Sequence, residues 1–276
     1  MVDVPVSHDL ARYLIDRGPF ECSSVKAAER EYGLYRERWG FANRRVPFLS
    51  LPDSNVKWQH TADAVIAGWA GSPADTSGVW NACRFCTPDC SAGCVAFGGN
   101  GSFPSTARAR ACKTQFLGDY PREALALVVR DLERLGGKYG DLLRVRLNAF
   151  TDLPWERFAP VLFDRFPHVR FFDYTKWKGR TLDVGMPSNY RVTYSASERT
   201  KDSDLPSLVF TSNVAVVFAV AKGAPLPEKW WGVPVIDGDV SDNRYDDPVG
   251  VVVGLRAKGR MRAVRFRKSG FVREVG

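Results

Sequence analysis

The chain predicts an α/β protein, a complete or incomplete (β/α) barrel with parallel strands, and three observations carry that expectation. From residue 64 onward, short apolar runs alternate with amphipathic stretches. The apolar runs are nearly continuous, as in strands covered on both faces by crossover helices. No Gly-x-Gly-x-x-Gly follows any of them, so a pair of dinucleotide-binding halves is disfavoured. About six such strands are countable, which suits a barrel, whole or partial.

Residues 1–46 read as a helical N-terminal extension, with helices expected at His8–Arg17 and Ser24–Trp39. Residues 47–276 form the barrel-like domain. Val46–Leu51 and Val56–Gln59 flank the turn-forming Pro52-Asp53-Ser54-Asn55 and predict a small hairpin. Ala64–Ala70 is the first strand, and a cysteine-bearing loop follows it. Pro104–Phe116 predicts a helix. Pro121–Leu135 predicts another, because Leu125, Val128, Val129, Leu132 and Leu135 keep the helical spacing behind an N-terminal proline, with Gly136-Gly137 as the stop. Strand Leu142–Leu147 and helix Pro154–Phe166 come next. Strands at Val169–Tyr174, Arg191–Tyr194, Asn213–Val220, Val233–Ile236 and Val249–Leu255 complete the series, with a short helix near Asp204–Leu208.

The composition is that of a globular chain. Its 276 residues are 45% hydrophobic and 25% charged, which is enough to bury a large core and excludes disorder as the default. No apolar run approaches the roughly 18 residues a membrane helix needs, so no membrane partner is expected. The start of the chain has neither a positive nor an apolar leader region, and a reducing cytoplasm is the expected location. Lysine plus arginine outnumber aspartate plus glutamate 39 to 31, giving a formal charge of +8. The excess concentrates in a basic C-terminal segment, 256–273, that contains no acid, so nucleic acid or a nucleotide is the expected partner there. Within it, Arg262-Ala263-Val264-Arg265-Phe266-Arg267 alternates as a half-buried strand would. A charge-protected edge strand is the competing explanation.

Four of the six cysteines, Cys83, Cys86, Cys90 and Cys94, fall within twelve residues. Short loops between thiols make convergence on one ion cheap in closure entropy. A metal or iron–sulfur cluster is therefore the leading expectation, with disulfides or structural thiols as alternatives. Zinc usually joins two separated Cys-x-x-Cys knuckles, and no second knuckle exists here, although four thiolates from this loop could still hold it. Three thiolates with one open iron would suit an iron–sulfur cluster that binds a cofactor. Cys22 and Cys112 are the other candidate ligands, with a buried structural role as the alternative.

Barrels of this class place function at the carboxyl ends of their strands. Those ends are polar throughout. They deliver Arg146, Asn148, Asp152, Asp173, Lys176, Ser195, Glu198, Asp237 and Asp239 as candidate catalytic groups. Ser197 and the turn residues Gly98 and Gly99 are candidate cofactor contacts, although Gly98-Gly99-Asn100-Gly101 lacks the lysine and spacing of a P-loop. Each polar residue taken alone is also a common turn or cap former. Asp237, Asp239 and Asp242 could instead hold a hard cation. His8, His60 and His168 are isolated, and His168 precedes its strand on the wrong rim for catalysis.

Several stretches resemble the mycobacteriophage gene-product-88 family: Cys83–Gly99, Ala107-Arg108-Ala109-Arg110 with Lys113-Thr114, Arg146-Leu147-Asn148, Asp173-Tyr174-Thr175-Lys176, Pro187-Ser188-Asn189-Tyr190, Asn213–Phe218 and Asp237-Gly238-Asp239. In that pattern Cys83, Cys90 and Cys94 match the recurrent cysteines, and Cys86 is particular to this chain. A looser likeness is to radical S-adenosylmethionine enzymes, which carry three cysteines in the loop after the first strand of an incomplete (β/α) barrel. The usual Cys-x-x-x-Cys-x-x-Cys is not matched. With the cysteine spacing and the positive charge, which suits a phosphate-bearing or nucleic-acid substrate, these resemblances lead to the expectation of a phage metalloprotein of the host cytoplasm, an iron–sulfur enzyme with or without S-adenosylmethionine. The alternative they leave is a non-enzymatic protein whose loop is stapled by zinc and whose basic segment binds nucleic acid or a host factor.

Overall fold

The computed structural model describes residues 8–54, 58 and 64–275. The chain opens with β1 (His8–Asp9), α1 (Leu10–Arg17) and α2 (Val25–Arg38). The Asp9 side chain caps α1 by accepting from the Arg12 amide, and Ser24 caps α2 in the same way from Ala27. Then come β2 (Val65–Gly68), β3 (Trp80–Asn81), α3 (Pro88–Ala92), α4 (Pro104–Asp119) and α5 (Pro121–Tyr139). The second half runs β4 (Leu143–Arg146), α6 (Trp155–Phe158), α7 (Val161–Arg165), β5 (Arg170–Thr175), α8 (Lys178–Thr181), β6 (Tyr190–Ser195), α9 (Leu205–Leu208) and β7 (Val214–Phe218). It closes with β8 (Lys229–Trp230), β9 (Val233–Asp237), β10 (Val252–Arg256), α10 (Val264–Lys268) and β11 (Val272–Arg273).

The main sheet has the order β2-β4-β5-β6-β7-β10-β9-β8, with β11 also on β7. All pairs are parallel except β8 with β9. Progressive parallel neighbours from β2 to β7 are what the strand–helix alternation predicted. Among the described residues no pairing joins β2 to β8, so the sheet is open and barrel closure is not observed. β2 instead meets Ser50 through one antiparallel bridge at Gly68.

Successive residues on a strand point to opposite faces, and the two faces differ here. Ala67, Val145 and Phe171 belong to a large buried cluster with Phe116, Leu125, Leu132 and Trp155 from the helices. Leu10, Leu14, Ala28 and Tyr32 of the N-terminal helices join the same cluster. Ile66 and Phe172 form a smaller cluster with Trp58, against which Tyr245 packs.

Four local expectations differ from the structure. The α5 helix runs through Gly136-Gly137 to Tyr139 and ends at Gly140, whose φ of +51° closes the helix where L-residues are strained. Pro160 lacks a backbone donor, and the helix expected over 154–166 is split there into α6 and α7. The hairpin's first arm supplies only the Ser50 bridge, Pro52–Ser54 form a 3-10 turn, and residues 55–57 and 59–60, His60 among them, lie outside the described residues. The basic C-terminal strand at 262–267 is not a strand: Gly259–Arg262 is a 3-10 turn and Val264–Lys268 is α10. Its apolar members do not share a buried face, since Val264 is exposed while Phe266 is buried with Met261 and Phe271. The C-terminal strand is Val272–Arg273.

Candidate functional site

The four clustered cysteines lie on a loop that residues near the ends of β4, β6, β10 and β11 hold in place. From the β4 side, the Asp152 amide donates to Ala82 O at 2.9 Å, and the Cys83 thiol donates to Phe150 O at 3.5 Å. The Cys83 amide donates to Asn81 Oδ1, and the Cys86 amide to Cys83 O, each at 2.9 Å. Thr87 caps α3 by accepting from the Cys90 amide at 3.2 Å. From β6, Glu198 accepts from the Thr87 hydroxyl at 2.7 Å and from the Asp89 amide at 3.3 Å, placing a carboxylate at the start of α3. From β10 and β11, the cluster of Met261, Phe266, Phe271 and Val272 packs on Cys90 and Ala92. A Cβ on Gly93 would meet Met261 Cγ at 2.8 Å, so glycine is what lets the helix approach.

All four thiols are free. Burial raises the pKa of each, Cys86 to about 11; neighbouring thiols add to the rise at three of them, Cys86 and Cys90 acting on Cys83, Cys90 and Cys94 on Cys86, and Cys90 on Cys94, while Asp152 and Glu198 add to it at Cys90. Lys176 opposes the shift at Cys90 and Cys94, and Arg110 opposes it at Cys94. The four sulfurs therefore share one electrostatic neighbourhood. In this arrangement no group of three or more cysteine, histidine or carboxylate side chains converges as a metal site among the described residues.

Two cations face this neighbourhood. Lys176 Nζ donates to Ser195 Oγ at 2.6 Å and to the Ser195 and Ala196 carbonyls at 3.0 Å. Arg110, 5% exposed, donates from Nη2 to Gly101 O at 2.9 Å and Ala96 O at 3.4 Å, while its Nε and Nη1 have no partner. Its Cζ lies 5.3 Å from the Phe150 ring centre. Gly98 and Gly99 are exposed in the turn that Arg110 braces from behind.

Behind the thiols is a buried polar network. Asp173 accepts from the Asn148 amide at 2.6 Å, Asn148 Nδ2 at 3.0 Å and the Tyr190 hydroxyl at 2.6 Å. Burial nevertheless lifts Asp173 to about 6, against the pull of Tyr190, Arg180 and Arg146. Asp152 accepts from Thr175 Oγ1 at 2.7 Å, the Lys176 amide at 2.8 Å and Arg180 Nη1 at 3.0 Å. Arg180 also grips Glu156 with two bonds, at 2.9 and 2.8 Å, and reaches the Tyr190 hydroxyl at 2.9 Å. Asn148 Oδ1 accepts from Thr151 and from the Leu153 amide, so this asparagine is fully engaged.

The sequence-derived set therefore divides. Cys83, Cys86, Cys90, Cys94, Asp152, Lys176, Ser195 and Glu198 come together around the loop, and Asn148 and Asp173 support them from beneath. Ser197 offers its carbonyl to Arg273 and its hydroxyl to the Arg199 amide. Arg146 lies over the Tyr174 ring at 4.9 Å and donates to Asn148 O. Asp237 and Asp239 stand apart: Arg256 bridges them at 2.9 and 3.2 Å, and Lys258 also pairs with Asp239. Arg256 holds Asp237 below its ordinary pKa, and Lys258 with Arg256 does the same for Asp239 against its burial. Those two carboxylates are occupied by cations of the chain itself, which removes the hard-cation reading of that corner. His168 is exposed at the entry to β5. The sequence pointed to Arg110 and Tyr190 only as members of stretches that resemble the family, and to Glu156 and Arg180 not at all. No periodicity marks them, because each earns its role from partners far along the chain.

Fold and site thus define an open, mainly parallel α/β protein with a thiol-lined loop across the carboxyl ends of its strands. The chain belongs to the gene product 88 family of phage proteins, whose model matches residues 51–274. No curated protein and no solved structure matches the chain. The family match lends no support to the radical S-adenosylmethionine likeness. No helix among the described residues is long and apolar enough to cross a membrane.

Proposed function

We propose that this phage protein is a metalloprotein whose thiol loop takes a thiophilic centre, an iron–sulfur cluster or zinc, beside a site for a phosphate-bearing ligand. The observation that carries the reading is four free thiols in one electrostatic neighbourhood at the carboxyl end of the sheet, where α/β proteins bind ligands. The donor set is soft, which selects zinc or iron–sulfur chemistry over hard cations. The orphaned N–H groups of buried Arg110 fit such a centre, because a buried guanidinium without an anion is costly and thiolates on a metal leave a net negative charge. Loading asks the thiols to turn toward one another on their short loop. Cys83, Cys90 and Cys94 are the working set, and Cys86 is the fourth thiol.

If the centre is an iron–sulfur cluster, it supplies electron-transfer or radical chemistry, with or without S-adenosylmethionine at an open iron. This chain's own residues would then enclose the site: Glu198 fixes the loop against β6, Lys176, anchored on Ser195, sets a positive charge near Cys90, and the apolar cluster of Met261 and Phe266 keeps water from Cys90. The open sheet serves as an incomplete barrel, and the reducing host cytoplasm keeps the thiols free. A second reading, a zinc-stapled non-enzymatic binder of nucleic acid or a host factor, is favoured by a different observation. The hydrogen bonds of Asn148, Asp152 and Asp173 are satisfied within the protein, so these three are committed to the fold, and Asp89, with one buried carboxylate oxygen unpartnered, is the carboxylate beside the thiols that is not so engaged.

Anaerobic purification with metal analysis separates these. A brown protein containing iron and sulfide supports the iron–sulfur reading, and a colourless protein with stoichiometric zinc supports the second. A protein that takes up neither metal sinks both. Cys90→Ala should abolish metal binding in either case, and Cys86→Ala should be tolerated by a three-thiolate centre.

A further inference from the structure

β7 and β10 are adjacent in the sheet although β8 and β9 lie between them in the chain. The chain leaves β7 outward, past β10, to build β8 and β9 at the far edge. It leaves β10 in the opposite sense, back to β7, where Val272–Arg273 pairs with Val217–Phe218. Diverging exits from neighbouring parallel strands open a crevice at their carboxyl ends, which is where open α/β sheets take their ligands.

That crevice exists here as a groove of about 410 Å³. Ala219, Val220, Ala257 and Met261 make its apolar floor, and Lys222, Arg262 and Arg267 stand around it. No acidic residue lines it. It continues into a second hollow of about 670 Å³ through Lys222, Ala257 and Arg262, where the cations Arg256 and Lys258 are already neutralised by Asp237 and Asp239. Among the described residues Lys222 and Arg262 make no ion pair, and Arg267 has only exposed Glu274 at 3.7 Å. Three cations over an apolar floor with no acid of its own select an anion that carries a flat or apolar body. The volume is that of a small-molecule site. Met261 is also the residue that packs on Gly93, so the groove shares a wall with the thiol-bearing helix.

We infer that this crevice binds a phosphate-bearing ligand of mononucleotide size, with Lys222, Arg262 and Arg267 on the phosphate and the base on the apolar floor. The inference rests on the phosphate-bearing ligand of the functional reading and not on the metal.

Calorimetric titration of the full chain with adenosine 5′-monophosphate, adenosine, inorganic phosphate and a short single-stranded oligonucleotide tests it. The monophosphate should bind, and adenosine should bind about tenfold or more weakly, the scale of a lost charge-assisted contact. Arg262→Gln with Arg267→Gln, and Lys222→Gln separately, should each weaken the monophosphate about tenfold with an unchanged far-ultraviolet spectrum, while Lys138→Gln at the opposite end of the sheet should not. Binding of the oligonucleotide alone, with a steep salt dependence, would overturn the mononucleotide assignment in favour of a strand crossing the surface. No binding of the monophosphate, or binding indifferent to the three substitutions, would overturn the site altogether. Metal content is read on the same samples, so a protein that loads metal but ignores the nucleotide separates this failure from that of the metal centre.

Discussion

Replacing Arg180 by methionine should cost about 3–5 kcal/mol of stability, the range for leaving a buried ion partner uncompensated. Arg180 is fully buried, and its partners Glu156 and Asp152 have side chains only 3% and 7% exposed. Methionine replaces most of the hydrocarbon volume, so the cavity contribution is small and the loss is electrostatic. It removes two bonds to Glu156, one to Asp152 and one to Tyr190. Thermal unfolding followed by circular dichroism should show a midpoint lower by about 6–10 °C, at roughly 2 °C per kcal/mol for a chain of this size. The pH dependence provides a second reading. Without the guanidinium two buried negative charges lack their counter-ion, so the deficit should shrink as acidification from pH 7 toward pH 4 removes buried charge. Adding Glu156→Gln to the variant should recover part of the loss, because one buried charge then disappears. A variant within about 1 kcal/mol of the parent at pH 7, or a deficit identical at pH 4 and 7, would refute the claim that Arg180 holds the network by charge.

Glu198→Ala should cost about 1–2 kcal/mol and speed amide exchange over residues 87–93, because Thr87 and the Asp89 amide lose their common acceptor; unchanged exchange there counts against Glu198 as the tie between β6 and α3. Carbon-detected titration of Asp173 should give a midpoint near 6. Because that folded value exceeds the unfolded one near 3.9, its contribution favours the native state below pH 4 and is lost as pH rises through 6, worth about 3 kcal/mol, and a midpoint below 4 would show that its three donors outweigh burial. Gly118→Ala should destabilise by about 1–3 kcal/mol despite alanine's better helix propensity, since its Cβ would clash with Nε1 of buried Trp80; a gain in melting temperature would show that the indole can move aside.

The parallel α/β class, most element positions and the place of the thiol loop are legible in the amino-acid sequence, because these are properties of local period and connectivity. Apolar runs such as Asn213–Val220 allow few other fates than a strand covered on both faces, and a loop after the first strand of such a series must emerge at its carboxyl end. Periodicity also misled where it was weakest: six residues alternating from Arg262 fit a strand, yet the spacing of Met261, Phe266 and Phe271 across two turns decided the packing. Only the tertiary structure set the order β7-β10-β9-β8, left the sheet open and returned Val272–Arg273 to β7, since pairing depends on which distant segments bury each other. It alone also determined that Asp152 and Asp173 answer to Arg180 and Tyr190, that Asp237 and Asp239 answer to Arg256, and that Arg110 keeps two buried donors free beside Cys94. A charged side chain carries no local period, and its role is fixed by the partners that folding brings within a few ångströms.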